Sequence, residues 1–365
     1  MPESLVDTQS ALGPTIEDLR PLHPSLVYDG LTDQLLAAVD PDDTVRHVLA
    51  VCSGYAYSDQ TTVAMMMTRL GLEHSRCVMV RQVVDAMFIS STAFVIQSAD
   101  GRVVIVCYRG TEPVNLVNWL TNLDVDPDLV RVDLTRQPGD ESYPVHAGFY
   151  RNVRATRFAV NEVLQRALHG RSIFPDDDRV KLEEAATIQP LQALYLTGHS
   201  LGGAMAALMT VMLRADPDYA ELAAKLRATY TYGQPMIGTP AFAKACTEAT
   251  FGGTSAPLDS AVFRYVHADD VVPQLPPRES GSFKHFGQEF GCERAGGERQ
   301  PTWVRREAST GQTYALGLAI GGLSLVTRQL SRLRWLPLNQ SIVDHGPQKY
   351  IAALTPPGVR SEFGD

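Results

Sequence analysis

In Gly198-His199-Ser200-Leu201-Gly202 a serine sits between two glycines, with a β-rich run, Leu191–Thr197, before it and a segment of small and apolar residues, Gly203–Arg214, after it. That order predicts a strand, a tight turn and a helix. The glycines are needed because a Cβ at either flanking position would strike neighbouring backbone, while the turn lifts the serine hydroxyl above the sheet. The helix that follows points its amino end toward the same place. Its unpaired N–H groups can hold negative charge developing on a substrate oxygen. The chemistry expected of Ser200 is nucleophilic attack on an acyl group.

A serine hydroxyl attacks poorly until a base removes its proton, and a histidine oriented by a buried carboxylate does this near neutral pH. In α/β-hydrolase folds the partners follow in the order serine, acid, histidine. The stretch FRYVHADDVVPQLPP supplies the acid: a β-run ends at Val266 and a loop with Asp269 and Asp270 follows, closed by Pro273 and Pro276. Spacing alone leaves both aspartates open. Downstream of them stand two histidines, His285 and His345. His345 lies in SIVDHGPQKYIAAL, a loop just before a terminal helix, and that position favours it as the base. His146, His199 and His267 read as structural, since His199 is locked in the turn and His267 precedes the acid.

Elements able to hold these residues are visible along the chain. Phe94–Gln97 and Val103–Tyr108 flank Asp100-Gly101 and predict a hairpin. The second run, VVIVCY, is apolar throughout, as in a strand buried on both faces. Residues 60–70 predict a helix capped by Thr61 or Thr62, and Phe149–His169 a long amphipathic one. Thr229–Tyr232 and Ala261–Val266 are further strands. Strands separated by helices imply an α/β fold, a mostly parallel sheet covered by helices on both faces. Residues 1–45 read as an extended lead-in with a short helix near Leu31–Val39, and Pro175–Glu184 as a surface loop or helix start. The three methionines of residues 60–70 read as core filling.

The whole chain bounds the partners. It has 365 residues, 44% hydrophobic and 20% charged, with a net charge of -9. Nucleic-acid binding is excluded as a default, since it needs a basic surface. The amino terminus shows no basic region followed by an apolar stretch, and the five cysteines have no framework spacing. Both features predict a cytoplasmic or peripherally membrane-associated protein. Residues 281–340 hold an apolar stretch, Ala315–Val326, then leucines and Trp335 among Arg328, Arg332 and Arg334. Twelve such residues are too few to span a bilayer. The stretch Ala315–Leu336 is expected either to pack on the core as extra helices or to touch a lipid surface.

Taken in order, VVIVCYRGTEP with NLVNWLTNLD, VHAGFY, LTGHSLGGA, TYTYGQPMIGTPAFA, FRYVHADDVVPQLPP and DHGPQKY resemble the class 3 lipases, the fungal-type triacylglycerol lipases and their bacterial and plant relatives. The resemblance covers roughly residues 94–290 plus the terminal segment. It implies an α/β-hydrolase fold with Ser200 as nucleophile, His345 as base and Asp270, directly before the V-V-P run, as acid. It also implies an oxyanion hole from Thr111 and Leu201, and a helical lid within Val114–Leu120 that includes Trp119. Residues 1–90 are then expected as a helical extension packed on a lipase domain over 91–365, with an apolar cap-like insertion near 281–340.

The expected reaction is hydrolysis of a lipid ester through an acyl-enzyme, with no metal or organic cofactor. Acylglycerols are the default substrates implied by the resemblance, with phospholipids or galactolipids as the alternative. An acyltransferase would need water kept from the acyl-enzyme, and a lipid-binding protein with an inactive hydrolase fold would need no triad at all.

Overall fold

A computed structural model describes residues 26–84, 89–110, 129–134, 142–174, 188–248, 257–267, 270–293, 301–306, 311 and 343–359. Three helices come first: α1 (Leu31–Ala37), α2 (Asp43–Tyr55) and α3 (Gln60–Leu70). They are followed by β1 (Arg76–Val84), β2 (Ile89–Gln97) and β3 (Val103–Tyr108), then the short pair β4 (Leu129–Asp133) and β5 (Ser142–His146). Next come α4 (Ala147–Leu168), β6 (Ala193–His199), α5 (Leu201–Ala215), α6 (Ala220–Lys225), β7 (Leu226–Tyr232) and α7 (Pro240–Glu248). The remainder comprises β8 (Val262–Val266), β9 (Gln288–Glu293), β10 (Thr302–Arg306) and α8 (Pro347–Leu354).

Eight strands form one sheet in the order β1-β2-β3-β6-β7-β8-β9-β10. The pairings from β3 through β6, β7 and β8 to β9 are parallel, while β1, β2 and β10 join antiparallel at the two ends. The expected α/β class is therefore found, with antiparallel edges on a parallel centre. All six residues of β3 are buried, as a two-sided apolar strand requires. One face of the sheet packs α4 and α5, through Phe149, Val153, Leu164, Met205 and Leu208. The other packs α2, α3 and α8, through Val48, Leu49, Met67, Tyr350 and Ile351.

Several elements differ from the sequence-based expectation. The hairpin turns at Gly101 as expected, but β2 begins at Ile89, five residues early. The α3 cap is Asp59, whose carboxylate accepts from the Thr62 N–H at 2.9 Å, in place of Thr61 or Thr62. A carboxylate reaches the free N–H groups of the first turn and also complements the helix dipole. Helix α2 replaces the extended lead-in after residue 42, capped by the Asp42 side chain on the Val45 N–H at 3.0 Å. Within the expected insertion near 281–340, β9 and β10 belong to the main sheet. The stretches Ala315–Leu336, Val114–Leu120 and Pro175–Glu184 lie outside the described residues, as do Thr111 and Asp269. No described helix is long and apolar enough to cross a membrane.

Directly paired in register, Arg264 of β8 and Glu289 of β9 form an ion pair of 3.0 Å with both side chains 3% exposed. Charges so buried are tolerated because they neutralise one another, and removing one leaves the other uncompensated. Glu289→Gln is expected to destabilise the fold by about 3–5 kcal/mol. Chemical denaturation reads this directly, and a loss under about 1 kcal/mol would mean that water reaches the guanidinium.

Buried histidines make stability depend on acid. Burial holds His47 at about 4, with the Arg46 charge adding to the effect, and burial also drives His285 well below the ordinary histidine value. Above the unfolded value near 6.5 both states are neutral and no difference arises. Below it the unfolded chain takes up protons that the folded chain refuses, so stability falls as pH drops from about 6.5 toward 4. Thermal midpoints measured across that interval should decline, and His47→Gln should flatten the decline. Equal slopes in parent and variant would remove His47 as a contributor.

Candidate active site

Ser200 occupies the turn between β6 and α5 with φ 60° and ψ −130°, one of two described non-glycine residues at positive φ. An L-residue adopts this conformation only where its surroundings impose it. Here the constraint is visible: the Ser200 N–H donates to the Tyr232 carbonyl at 2.9 Å, and its own carbonyl receives the Gly203 N–H at 2.9 Å. A Cβ on Gly202 would collide with the Tyr108 carbonyl at the end of β3, and one on Gly198 with the Gly202 carbonyl. The strand, turn and helix are thus pressed together as the motif requires. The Ser200 hydroxyl is buried and makes no hydrogen bond among the described residues. Leu201 is the first residue of α5, where an N–H has no carbonyl partner in its own helix.

Asp270 follows β8 and is 1% exposed. One carboxylate oxygen, Oδ1, accepts from the Val272 N–H at 2.9 Å. The other, Oδ2, accepts from His345 Nδ1 at 2.8 Å and from the Tyr350 hydroxyl at 2.5 Å. Three donors thus satisfy this buried carboxylate. The Tyr350 hydroxyl in turn accepts from the His267 N–H at 3.1 Å. Burial and the Asp270 charge push the Tyr350 pKa far up, so the phenol stays a donor.

His345 ends a short 3-10 turn, Val343–His345, just before α8. With Nδ1 engaged on Asp270, its Nε2 is buried and unpartnered among the described residues. The ring lies against that of His199, the residue before Ser200, with centroids 4.4 Å apart. Gly233, at the end of β7, completes the wall. It has φ +59°, and a Cβ there would come within 2.8 Å of both Asp270 Oδ2 and His345 Nδ1. Only glycine combines that backbone with that space.

Of the residues singled out in the sequence, Asp270 after β8 and His345 from the carboxyl-terminal segment are in direct contact, and the His345 ring packs on His199, the residue before Ser200 at the end of β6. His285 is not among them; its Nε2 is bound to the Pro273 carbonyl at 2.7 Å. His146 caps α4 by accepting from the Gly148 N–H at 3.1 Å. Two participants carried no signal on their own. Tyr350 lay inside DHGPQKY with no role attached, and Tyr57, which contacts His199, lay outside every motif. A helical pattern starting at Pro347 places residue 350 on the first turn, which is the available clue to Tyr350.

Residues 105–280 match the family model described as Lipase (class 3). Over that span the chain is similar to the class 3 lipases. It is 30% identical over 198 residues to a secreted mono- and diacylglycerol lipase of Fusarium solani, covering 54% of this chain and 46% of that one. It is 26% identical over 208 residues to a triacylglycerol lipase of Arabidopsis thaliana, covering 53% and 38%. The chain thus spans about half or less of the length of these curated lipases. Among solved structures, the propeptide complex of Rhizomucor miehei lipase aligns at 20% identity with a TM-score of 0.49, covering 84% of this chain and 80% of that one.

This comparison corrects one expectation. The cytoplasmic or peripherally membrane-associated address predicted from the amino terminus and the cysteines is overturned, because the Fusarium relative is named as a secreted lipase. The physical reason lies in the cysteines. A core of this size needs no disulfides to be stable, so scattered buried thiols report on packing and not on compartment.

Proposed function

We propose that the protein is a serine carboxylic-ester hydrolase of acylglycerols. In this reading Ser200 is the nucleophile, His345 the general base and acid, and Asp270 the residue that fixes the imidazole. The supporting observation is the buried Asp270–His345 bond of 2.8 Å, which leaves His345 Nε2 without a partner while the ring packs against the strained turn holding Ser200. His345 Nε2 takes the Ser200 proton as Oγ attacks the ester carbonyl, and the imidazolium is stabilised by Asp270. The tetrahedral oxyanion is held by the N–H groups of Leu201 and Thr111. The alcohol leaves with the proton from Nε2. Water, deprotonated by the same nitrogen, then releases the fatty acid and restores Ser200.

Acylglycerols are the favoured esters because the Fusarium and Arabidopsis relatives carry mono- and diacylglycerol lipase and triacylglycerol lipase in their names. The domain plan that goes with this reading is a lipase domain over 91–365 with a helical extension over 1–90 packed on it, the extension also lending β1 to the sheet. Two measurements test the proposal together. A fluorophosphonate should label Ser200 and no other serine, as read by peptide mapping. Fatty-acid release from emulsified di- and triacylglycerols should exceed that from a short soluble ester at equal ester concentration. Labelling elsewhere would remove the nucleophile, and equal rates on both ester classes would remove the lipid substrate.

A further inference from the structure

Just beyond α2, in the part of the chain that precedes the matched region, the Tyr57 hydroxyl lies 2.9 Å from His199 Nδ1. The opposite ring nitrogen, His199 Nε2, lies 2.6 Å from the carbonyl oxygen of His345. We infer that Tyr57 and His199 form a positioning relay that holds the His345 backbone, and through it the imidazole, against the nucleophile turn. This inference rests on the proposed roles of Ser200 and His345.

The direction of each bond follows from what the atoms can do. A carbonyl only accepts, so His199 Nε2 carries a proton and donates it to the His345 oxygen. Burial, reinforced by the neighbouring His345, holds the His199 pKa well below the ordinary value, so the ring is neutral near pH 7. Nδ1 is then a bare acceptor, and Tyr57 must donate to it. Burial pushes the Tyr57 phenol upward, which keeps that donor protonated. Both polar atoms of His199 are thereby satisfied, and its tautomer is fixed by Tyr57.

The relay sits where three loops meet. His199 is the last residue of β6 and directly precedes Ser200. Its ring packs against His345 at 4.4 Å and edge-on to Tyr350 at 5.7 Å, the same phenol that donates to Asp270. On the far side, a Cβ on Gly110 would collide with the Tyr57 hydroxyl and with the His199 carbonyl. Gly110 stands immediately before Thr111, the proposed oxyanion donor, so the same phenol also abuts the chain that must present that N–H. His345 itself is held by little secondary structure, a 3-10 turn of three residues. A carbonyl clamp from the opposite side of the ring is what such a segment lacks. Misplacing a catalytic group by about 1 Å can cost on the order of 100-fold in rate, so a modest loss of positioning is measurable.

The test uses the full chain, with catalytic centres counted by fluorophosphonate titration so that unfolded protein does not enter the rate. Tyr57→Phe should lower kcat per titrated site on an activated ester by roughly 3- to 10-fold, the worth of one buried hydrogen bond, with KM within about twofold. His199→Leu should lower it further, and His199→Gln, which retains an N–H for the carbonyl, should recover part of the loss. Adding Tyr57→Phe to His199→Leu should cost nothing more, because the phenol acts through the ring. The low-field proton resonance of the His345 Nδ1–H should shift in Tyr57→Phe, a signature that a purely structural role would not produce.

Full kcat per site in Tyr57→Phe would overturn the relay, as would losses from the two substitutions that simply multiply. Ser200→Ala is run alongside. If it keeps its activity, the reading beneath the relay fails and both are overturned; if it is inert while Tyr57→Phe is unimpaired, the relay alone falls.

Discussion

Ser200→Ala is expected to reduce kcat on an activated ester by roughly 10^6-fold, leaving the rate that oxyanion donors and substrate binding sustain without a nucleophile. The size of the effect follows from what is lost. In the proposed mechanism the hydroxyl is the atom that bonds to the acyl carbon, and alanine offers no atom in its place. Stability should change little. The Ser200 side chain makes no hydrogen bond among the described residues, so its removal orphans no partner. The strain at φ 60° remains, because alanine has the same Cβ. Rates and fluorophosphonate labelling check the prediction, and residual activity above about one per cent that is not traceable to contaminating parent would show another nucleophile.

Asp270→Asn is expected to lower kcat by about 10^4-fold while leaving the shape of the site almost unchanged. The direction of the hydrogen bonds decides this. Val272 N–H donates to Oδ1 at 2.9 Å, so an asparagine at 270 must turn its carbonyl to that donor. Its amide NH2 then takes the place of Oδ2, where it meets His345 Nδ1 and the Tyr350 hydroxyl. The amide can only donate there, which forces Nδ1 to become an acceptor and moves the imidazole proton to Nε2. A protonated Nε2 cannot accept the Ser200 proton. The variant should fold, since a neutral amide replaces a carboxylate without leaving a buried charge. Steady-state kcat per labelled site tests the loss, and nitrogen chemical shifts of His345 test the tautomer. A drop smaller than tenfold, with the proton still on Nδ1, would mean that Asp270 does not set the base.

Much of this arrangement was legible in the residues. The strand, turn and helix around Ser200 were readable because local sterics dictate them: a β-rich run, two glycines at the points of closest approach, and a helix of small side chains. The hairpin at Asp100-Gly101 and the long helix α4 announced themselves through turn chemistry and a period of 3.6 residues. The choice of Asp270 over Asp269 did not follow from spacing. It rested on a resemblance in the run FRYVHADDVVPQLPP, and residue 269 lies outside the described part of the chain.

Other features were silent in one dimension. Strands β9 and β10 were hidden because β10 is mostly exposed at the sheet edge and shows no apolar run. Helix α2 was hidden behind a polar start, Asp42-Asp43, that reads as a loop until its role as a cap is seen. Tyr57 has no pattern around it that distinguishes it from any half-buried tyrosine. The Arg264–Glu289 pair is invisible as well, since its two members meet only through the pairing of β8 with β9.

By itself, then, the sequence determined the local chemistry of this protein: which serine is strained and raised, which loops follow strands, and which faces are apolar. Those properties arise from neighbours along the chain, within the reach of a turn or a helical period. Tertiary structure alone decided how His345 Nδ1 meets Asp270 across 75 residues, and how Tyr57 meets His199 across 142. Contacts of that separation depend on strand order and on the packing of two helical layers against the sheet. No run of adjacent residues encodes a distance between strand ends.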